Sequence, residues 1–178
     1  GADPDPVHTQ VQAAKSIGHG KVMPPNTQDS KVVQTFLKHM CEKVAQRLRC
    51  HGLSAQWFFI GFKRQQAHDW FGEKVQTLQP TQHGQDIYHC GLTLLSQHWQ
   101  DEGLCQLQVT ALDPQPVDQQ ADLFDAPSDS DSKLDRAMDE INIRFGPLAI
   151  KPATLLAKSA MHDVIAPAWR PRGVRKSV

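Results

Sequence analysis

Between Ala13 and Ala111 the spacing of apolar residues switches from the two-residue period of a strand to the near-four period of a helix and back, and does so twice. Ala13 to Met23 has strand character, with Gly18 and Gly20 marking places where another backbone can come close. Pro24-Pro25 is expected to stop that strand, and Asp29 or Ser30 to accept hydrogen bonds from the first free amides of a helix. Across Lys31 to Cys50, Val32, Phe36, Met40 and Val44 recur every fourth residue, flanked by Val33, Leu37 and Leu48. The charged side chains fall largely outside that stripe, which predicts an amphipathic helix ending near Gly52.

Ser54 to Arg64 is rich in aromatics and reads as a strand; Gln65 to Asp69 is a turn and Trp70 to Gln79 a returning strand, with Pro80 as its breaker. Ile87, Gly91, Leu94, Leu95 and Trp99 mark a second helix from about His83 to Gln100. Cys105, Leu107, Val109 and Ala111 then alternate with Gln106, Gln108 and Thr110, a strand with one apolar and one polar face. The order β-α-β-β-α-β predicts an α+β fold, a four-stranded antiparallel sheet with both helices on one face and the other face open. No internal repeat is evident.

Asp113 to Ser132 is dominated by Pro, Asp, Ser and Gln and reads as a disordered neck. A third helix is expected over Lys133 to Phe145, capped by Ser132, with Leu134, Met138, Ile141 and Phe145 on one face and Gly146-Pro147 ending it. It has two readings, a helix docked on the body or a recognition element for another protein. The expected organisation is a linker over 1–12, a body over 13–112, a neck over 113–132, a helical extension over 133–160 and a basic tail over 161–178.

The formal net charge of the 178 residues is zero, but the charges are segregated. Val11 to Thr110 holds ten Lys and Arg against seven Asp and Glu, a balance of +3; Ala111 to Phe145 holds three against nine, or −6; from Gly146 onward six bases oppose one acid, or +5. No apolar run reaches the roughly 18 residues that span a bilayer, and the N-terminus lacks a signal peptide's pattern, so a cytoplasmic chain is expected. Cys41, Cys50, Cys90 and Cys105 form no C-x-x-C pair and read as free thiols. His39 with Cys41, and His89 with Cys90, sit at helical offsets that turn the two side chains apart, so neither pair readily shares a metal ion. Met40, Cys41 and Trp99 read as core, and among Trp57, Phe58, Phe59 and Phe62 alternate positions must bury, leaving one or two able to meet bases.

Lys15-Ser16-Ile17-Gly18-His19-Gly20-Lys21 followed by Val22-Met23-Pro24 resembles the segment that opens the little-finger domain of Y-family DNA polymerases of the DNA polymerase IV type. Val44-Ala45-Gln46-Arg47-Leu48-Arg49, the aromatic strand, the hairpin and the alternating last strand follow in that family's order. Leu134-Asp135-Arg136-Ala137-Met138-Asp139 with Arg144-Phe145-Gly146 resembles an extension common in its bacterial members, so the resemblance covers roughly Ala13 to Ile150. It implies a domain whose open sheet face lies along the DNA major groove and touches mainly phosphates, whether the DNA is damaged or primed, without sequence preference. The implied contacts are Lys15, Ser16, Gly18, His19, Gly20, Lys21, Lys63, Arg64, Lys74, Gln106, Gln108 and Thr110.

Gln120-Ala121-Asp122-Leu123-Phe124 resembles the pentapeptide with which bacterial proteins bind the sliding clamp. Leu123 and Phe124 are isolated apolar residues in an acidic stretch, and burying both on a partner would contribute about 3 to 5 kcal/mol before ordering costs. No acidic pair lies on apolar strands as catalytic carboxylates would, so this stretch is expected not to be an enzyme by itself, with Mg2+ and polymerase chemistry belonging to a preceding core. A monomer is expected. The other class of reading is a non-catalytic adaptor that brings repair proteins to the clamp.

Overall fold

The computed structural model describes residues 14–66, 69–117, 129–146 and 148–156. The linker over 1–12, the pentapeptide Gln120 to Phe124 and the basic tail lie outside the described residues. The elements are β1 (Ser16–Thr27), α1 (Ser30–Cys50), β2 (Leu53–Arg64), β3 (Trp70–Thr81), α2 (Gly84–His98), β4 (Leu104–Leu112), β5 (Gln115–Pro116), α3 (Asp129–Phe145) and a 3-10 turn (Ala153–Leu155). The predicted β-α-β-β-α-β order is present, and the four long strands form an antiparallel sheet in the order β1-β4-β2-β3.

Both helices pack on one face. Phe58, Ile60 and Phe62 of β2, Leu107, Val109 and Ala111 of β4 and Ile17 of β1 meet Val33, Phe36, Leu37, Met40, Val44 and Leu48 of α1 and Ile87, Leu94 and Leu95 of α2 in one core. Alternation in the strands and the 3.6-residue period in the helices place these residues together. At its start, α1 is capped by Asp29, whose Oδ1 accepts from the Lys31 amide at 2.8 Å. The two helices approach closely at Gly91, where a Cβ would stand 2.8 Å from a methyl of Leu37.

Several boundaries differ from the sequence reading. Pro24-Pro25 does not stop β1, which continues to Thr27 through a register shift after Val22, and Pro80 does not break β3, which runs to Thr81. β1 and β3 are the two outer strands of the sheet, where a residue without an amide hydrogen costs no ladder bond if it faces outward. In β4 the alternation is also interrupted near its start: Leu104 is buried while Cys105 is only half-buried, with an irregular register opposite Lys63 and Arg64.

The neck is partly folded. Asp113 to Val117 turns back on the body, β5 pairs with Leu53 and Ser54 of β2, and the Val117 amide donates to the Gly52 carbonyl at 3.0 Å. Helix α3 begins at Asp129, so Ser132 lies inside it and is not its cap. Its predicted apolar face is only partly used: Met138 and Ile141 are half-buried, while Leu134 and Phe145 remain exposed. All four cysteines are free thiols. Cys41 is fully buried, and burial pushes its thiol pKa well above the ordinary value. No helix among the described residues is long and apolar enough to cross a membrane.

Candidate nucleic-acid interface

The strand registers assemble the sheet face opposite the helices row by row. Reading β1, β4, β2 and β3 across the sheet, one row is Ser16, Leu112, Trp57 and Gln76; the next is Gly18, Thr110, Phe59 and Lys74. A third is Gly20, Gln108, Gly61 and Gly72, and a fourth is Val22, Gln106, Lys63 and Trp70. None of these positions carries an acidic residue, whereas Lys63 and Lys74 supply two cations. Glu73, beside Lys74, alternates to the helix side opposite buried Ile60, where it lies 3.7 Å from His98. A wide face of cations, neutral donors and exposed aromatics with no carboxylate favours a polyanion.

Eight of the twelve residues singled out from the sequence come together here: Ser16, Gly18, Gly20, Lys63, Lys74, Gln106, Gln108 and Thr110. The other four do not. Strand alternation turns His19 to the helix side, where it is only 6% exposed and meets the His39 ring edge-on at 5.9 Å. Lys21 pairs with Leu107 on that same side of the sheet. Lys15 lies just before β1, exposed, its carbonyl accepting from the Asp113 amide at 3.1 Å. Arg64 is held by the two oxygens of Asp69 at 2.9 and 2.8 Å, with Glu102 at 3.6 Å, so its charge is already answered within the protein. That two-pronged contact also raises the Arg64 pKa.

The two glycines of β1 differ in use. A Cβ at Gly18 would stand 2.6 Å from Thr110 Oγ1, so glycine there makes room for a neighbouring side chain, itself bonded by Gln108 Nε2 at 3.1 Å. A Cβ at Gly20 would come no nearer than 3.4 Å to its surroundings, leaving that backbone approachable from outside. From behind the sheet Arg47 donates to the Gly18 carbonyl at 2.6 Å and fixes β1 against α1. Between β2 and β3, Gly61 and Gly72 face each other, and the Phe59 ring leans over both.

The sequence reading passed over Trp70 and Gln76, and it quoted Arg49, Asp135 and Asp139 within resembling motifs without assigning them to the second polar cluster, at α3. There Arg49 donates to both oxygens of Asp139, at 2.6 and 2.9 Å, to Asp135 at 3.2 Å and to the Gln82 carbonyl at 2.9 Å. His83 Nδ1 lies 2.7 Å from Asp135, whose hydrogen bond raises the His83 pKa above its ordinary value. The spacing Asp135 to Asp139, one helical turn, puts both carboxylates on the face turned to α1.

The family model described as the impB/mucB/samB family C-terminal domain matches residues 14–123. A DNA polymerase IV from Moorella thermoacetica is 30% identical over 160 residues, covering 88% of this chain and 39% of its own length. A DNA polymerase IV 2 from Bacillus subtilis is 30% identical over 162 residues, with the same shares. The chain thus spans about two fifths of the length of these relatives. Among solved structures, a Y-family DNA polymerase chimera is similar with a TM-score of 0.49 at 15% identity, covering 64% of this chain and 32% of that one. The little finger domain of PolIV, solved in a complex with the beta-clamp processivity factor, gives 0.47 at 13% identity, covering 58% and 95%.

Proposed function

The chain belongs to the impB/mucB/samB C-terminal domain family, the little-finger domains of Y-family DNA polymerases, and from that premise we propose that it holds DNA for a polymerase whose chemistry resides in the length of its relatives that this chain does not span. The observation that carries this reading is the open sheet face, which presents Lys63 and Lys74 among glycine, Gln and Thr and contains no carboxylate. A phosphate backbone laid on it would meet side-chain cations, neutral donors and the unobstructed backbone at Gly20. Such contacts are blind to sequence, which suits a protein that must accept damaged as well as primed DNA.

We further propose that Gln120 to Phe124, in the acidic stretch that follows β5, is a sliding-clamp tether. Its support is the residue pattern itself: a Gln and a Leu-Phe pair in a polar segment with no other large apolar residue beside them. DNA grip and clamp tether would then act together, each weak alone and stronger when both are engaged.

The test is a titration of the chain with primed duplex DNA at two salt concentrations. Binding that weakens several-fold from about 50 to 200 mM salt is expected of a few phosphate contacts. Absence of binding at the lower salt would overturn the reading.

A further inference from the structure

The open face carries more than a phosphate grip requires. Trp57 and Trp70 are 45% and 44% exposed on the outermost rows, and the half-buried Phe59 ring leans over Gly61 and Gly72 in the space between them. Large aromatics left on a sheet face are costly to hydrate, and the core on the other side already uses Phe58 and Phe62 from the same strand. Lys63 stands directly across the ladder from Trp70, and Lys74 directly across from Phe59. Two pairs of one aromatic and one lysine therefore lie side by side on neighbouring strands.

A phosphate is satisfied by the lysines alone. A ring needs a second flat apolar partner, and in duplex DNA the faces of the bases are already stacked on one another. Only unpaired bases offer both a free ring face and a phosphate within reach of the adjacent lysine. We infer that the face formed by Trp57, Phe59 and Trp70 with Lys63 and Lys74 is a stacking platform for single-stranded DNA. Its bases lie on the three rings and its phosphates on the two cations. The inference rests on the DNA-holding reading above and gives it a ligand form: the unpaired strand next to a primer end, in addition to the paired region.

The platform has a built-in support. A Cβ at Gly72 would collide with the Phe59 ring, and one at Gly61 would stand 2.8 Å from the Phe71 carbonyl, so the glycine pair is what lets Phe59 lie down between the strands. Neither tryptophan carries the core, which allows both to be changed without loss of the fold.

The experiment uses the full chain and two probes at low salt, a dT oligonucleotide of roughly 12 nucleotides and a blunt duplex of mixed sequence. Trp57→Leu with Trp70→Leu is expected to lower affinity for the dT oligonucleotide about tenfold or more while changing duplex affinity less than about twofold. An equal loss on both probes, or no loss on the oligonucleotide, overturns the platform. A second measurement needs no variant: binding of the dT oligonucleotide by the unaltered chain should quench tryptophan fluorescence, and binding without quenching overturns the inference as well. If the unaltered chain binds neither probe, the DNA-holding reading itself fails, whereas duplex binding together with an oligonucleotide affinity that the tryptophan changes leave as it was removes only the platform.

Discussion

Lys63 and Lys74 present their charge on the open face with no carboxylate in the rows around them, in contrast to Arg64, which Asp69 already holds. Replacing both lysines by Ala should lower the slope of log affinity for duplex DNA against log salt by about one for every phosphate that is no longer neutralised. Arg64→Ala should leave that slope nearly unchanged, and a slope that responds to Arg64 more than to the lysines would reassign the DNA-facing cation. The sequence could not separate these residues, because adjacent positions on a strand point to opposite faces and the partner of Arg64 is settled only when the hairpin closes. His19 shows the same limit from the other side. Ile17 shares its phase and marks the helix side, but Lys21 in that same phase is charged and Gly18 and Gly20 carry no side chains to define the opposite face, so the pattern around His19 is ambiguous. What could be read correctly was the polar row Gln106, Gln108 and Thr110, since their apolar neighbours Leu107, Val109 and Ala111 fix the phase of β4.

At the level of elements, the order of strands and helices was legible because each long element keeps one period over most of its length. Its ends were not, because a proline's effect depends on where its strand sits: the same Pro-Pro that would break an inner strand is tolerated in β1 at the sheet edge. Helix α3 was legible as a helix but not in its mode of attachment. Its apolar stripe left docking on the body and recognition of another protein equally open, whereas in the structure Asp135 and Asp139 bind the Arg49 fork and His83. Arg49→Ala should free α3 at a cost of about 2 kcal/mol in local stability, read as faster amide exchange across Asp135 to Phe145 with the sheet amides unchanged. The His83 contribution has a definite sign with pH. Its folded pKa is raised, so the extra stability is complete below about pH 6.5 and is lost as pH rises through the higher folded value. Protection of α3 should therefore decline from mildly acidic toward alkaline pH, and His83→Gln should flatten that dependence; protection that instead rises with pH would contradict the assignment.

For the whole molecule, the proposed DNA face and the proposed clamp segment make different demands. Leu123→Ala with Phe124→Ala should abolish association with a bacterial sliding clamp in a pull-down while leaving the far-ultraviolet circular dichroism and duplex affinity as they were. Clamp association that survives the double change would remove the tether. The chain enters the sheet at Lys15, and β4 ends opposite that point at Asp113, joined to it by a 3.1 Å hydrogen bond, with only the short β5 still paired to β2 beyond it. Force applied between the flanking segments would first strip the short β5 from β2 and then part β1 from β4 one rung at a time, from Ser16 and Leu112 inward, like a zipper and not like two boards being slid apart. A domain pulled between a moving enzyme on one side and a tethered ring on the other would thus yield at low load by peeling its outer strand, with the α1, α2 and β2 to β3 remainder still packed, and could close again when the tension is released.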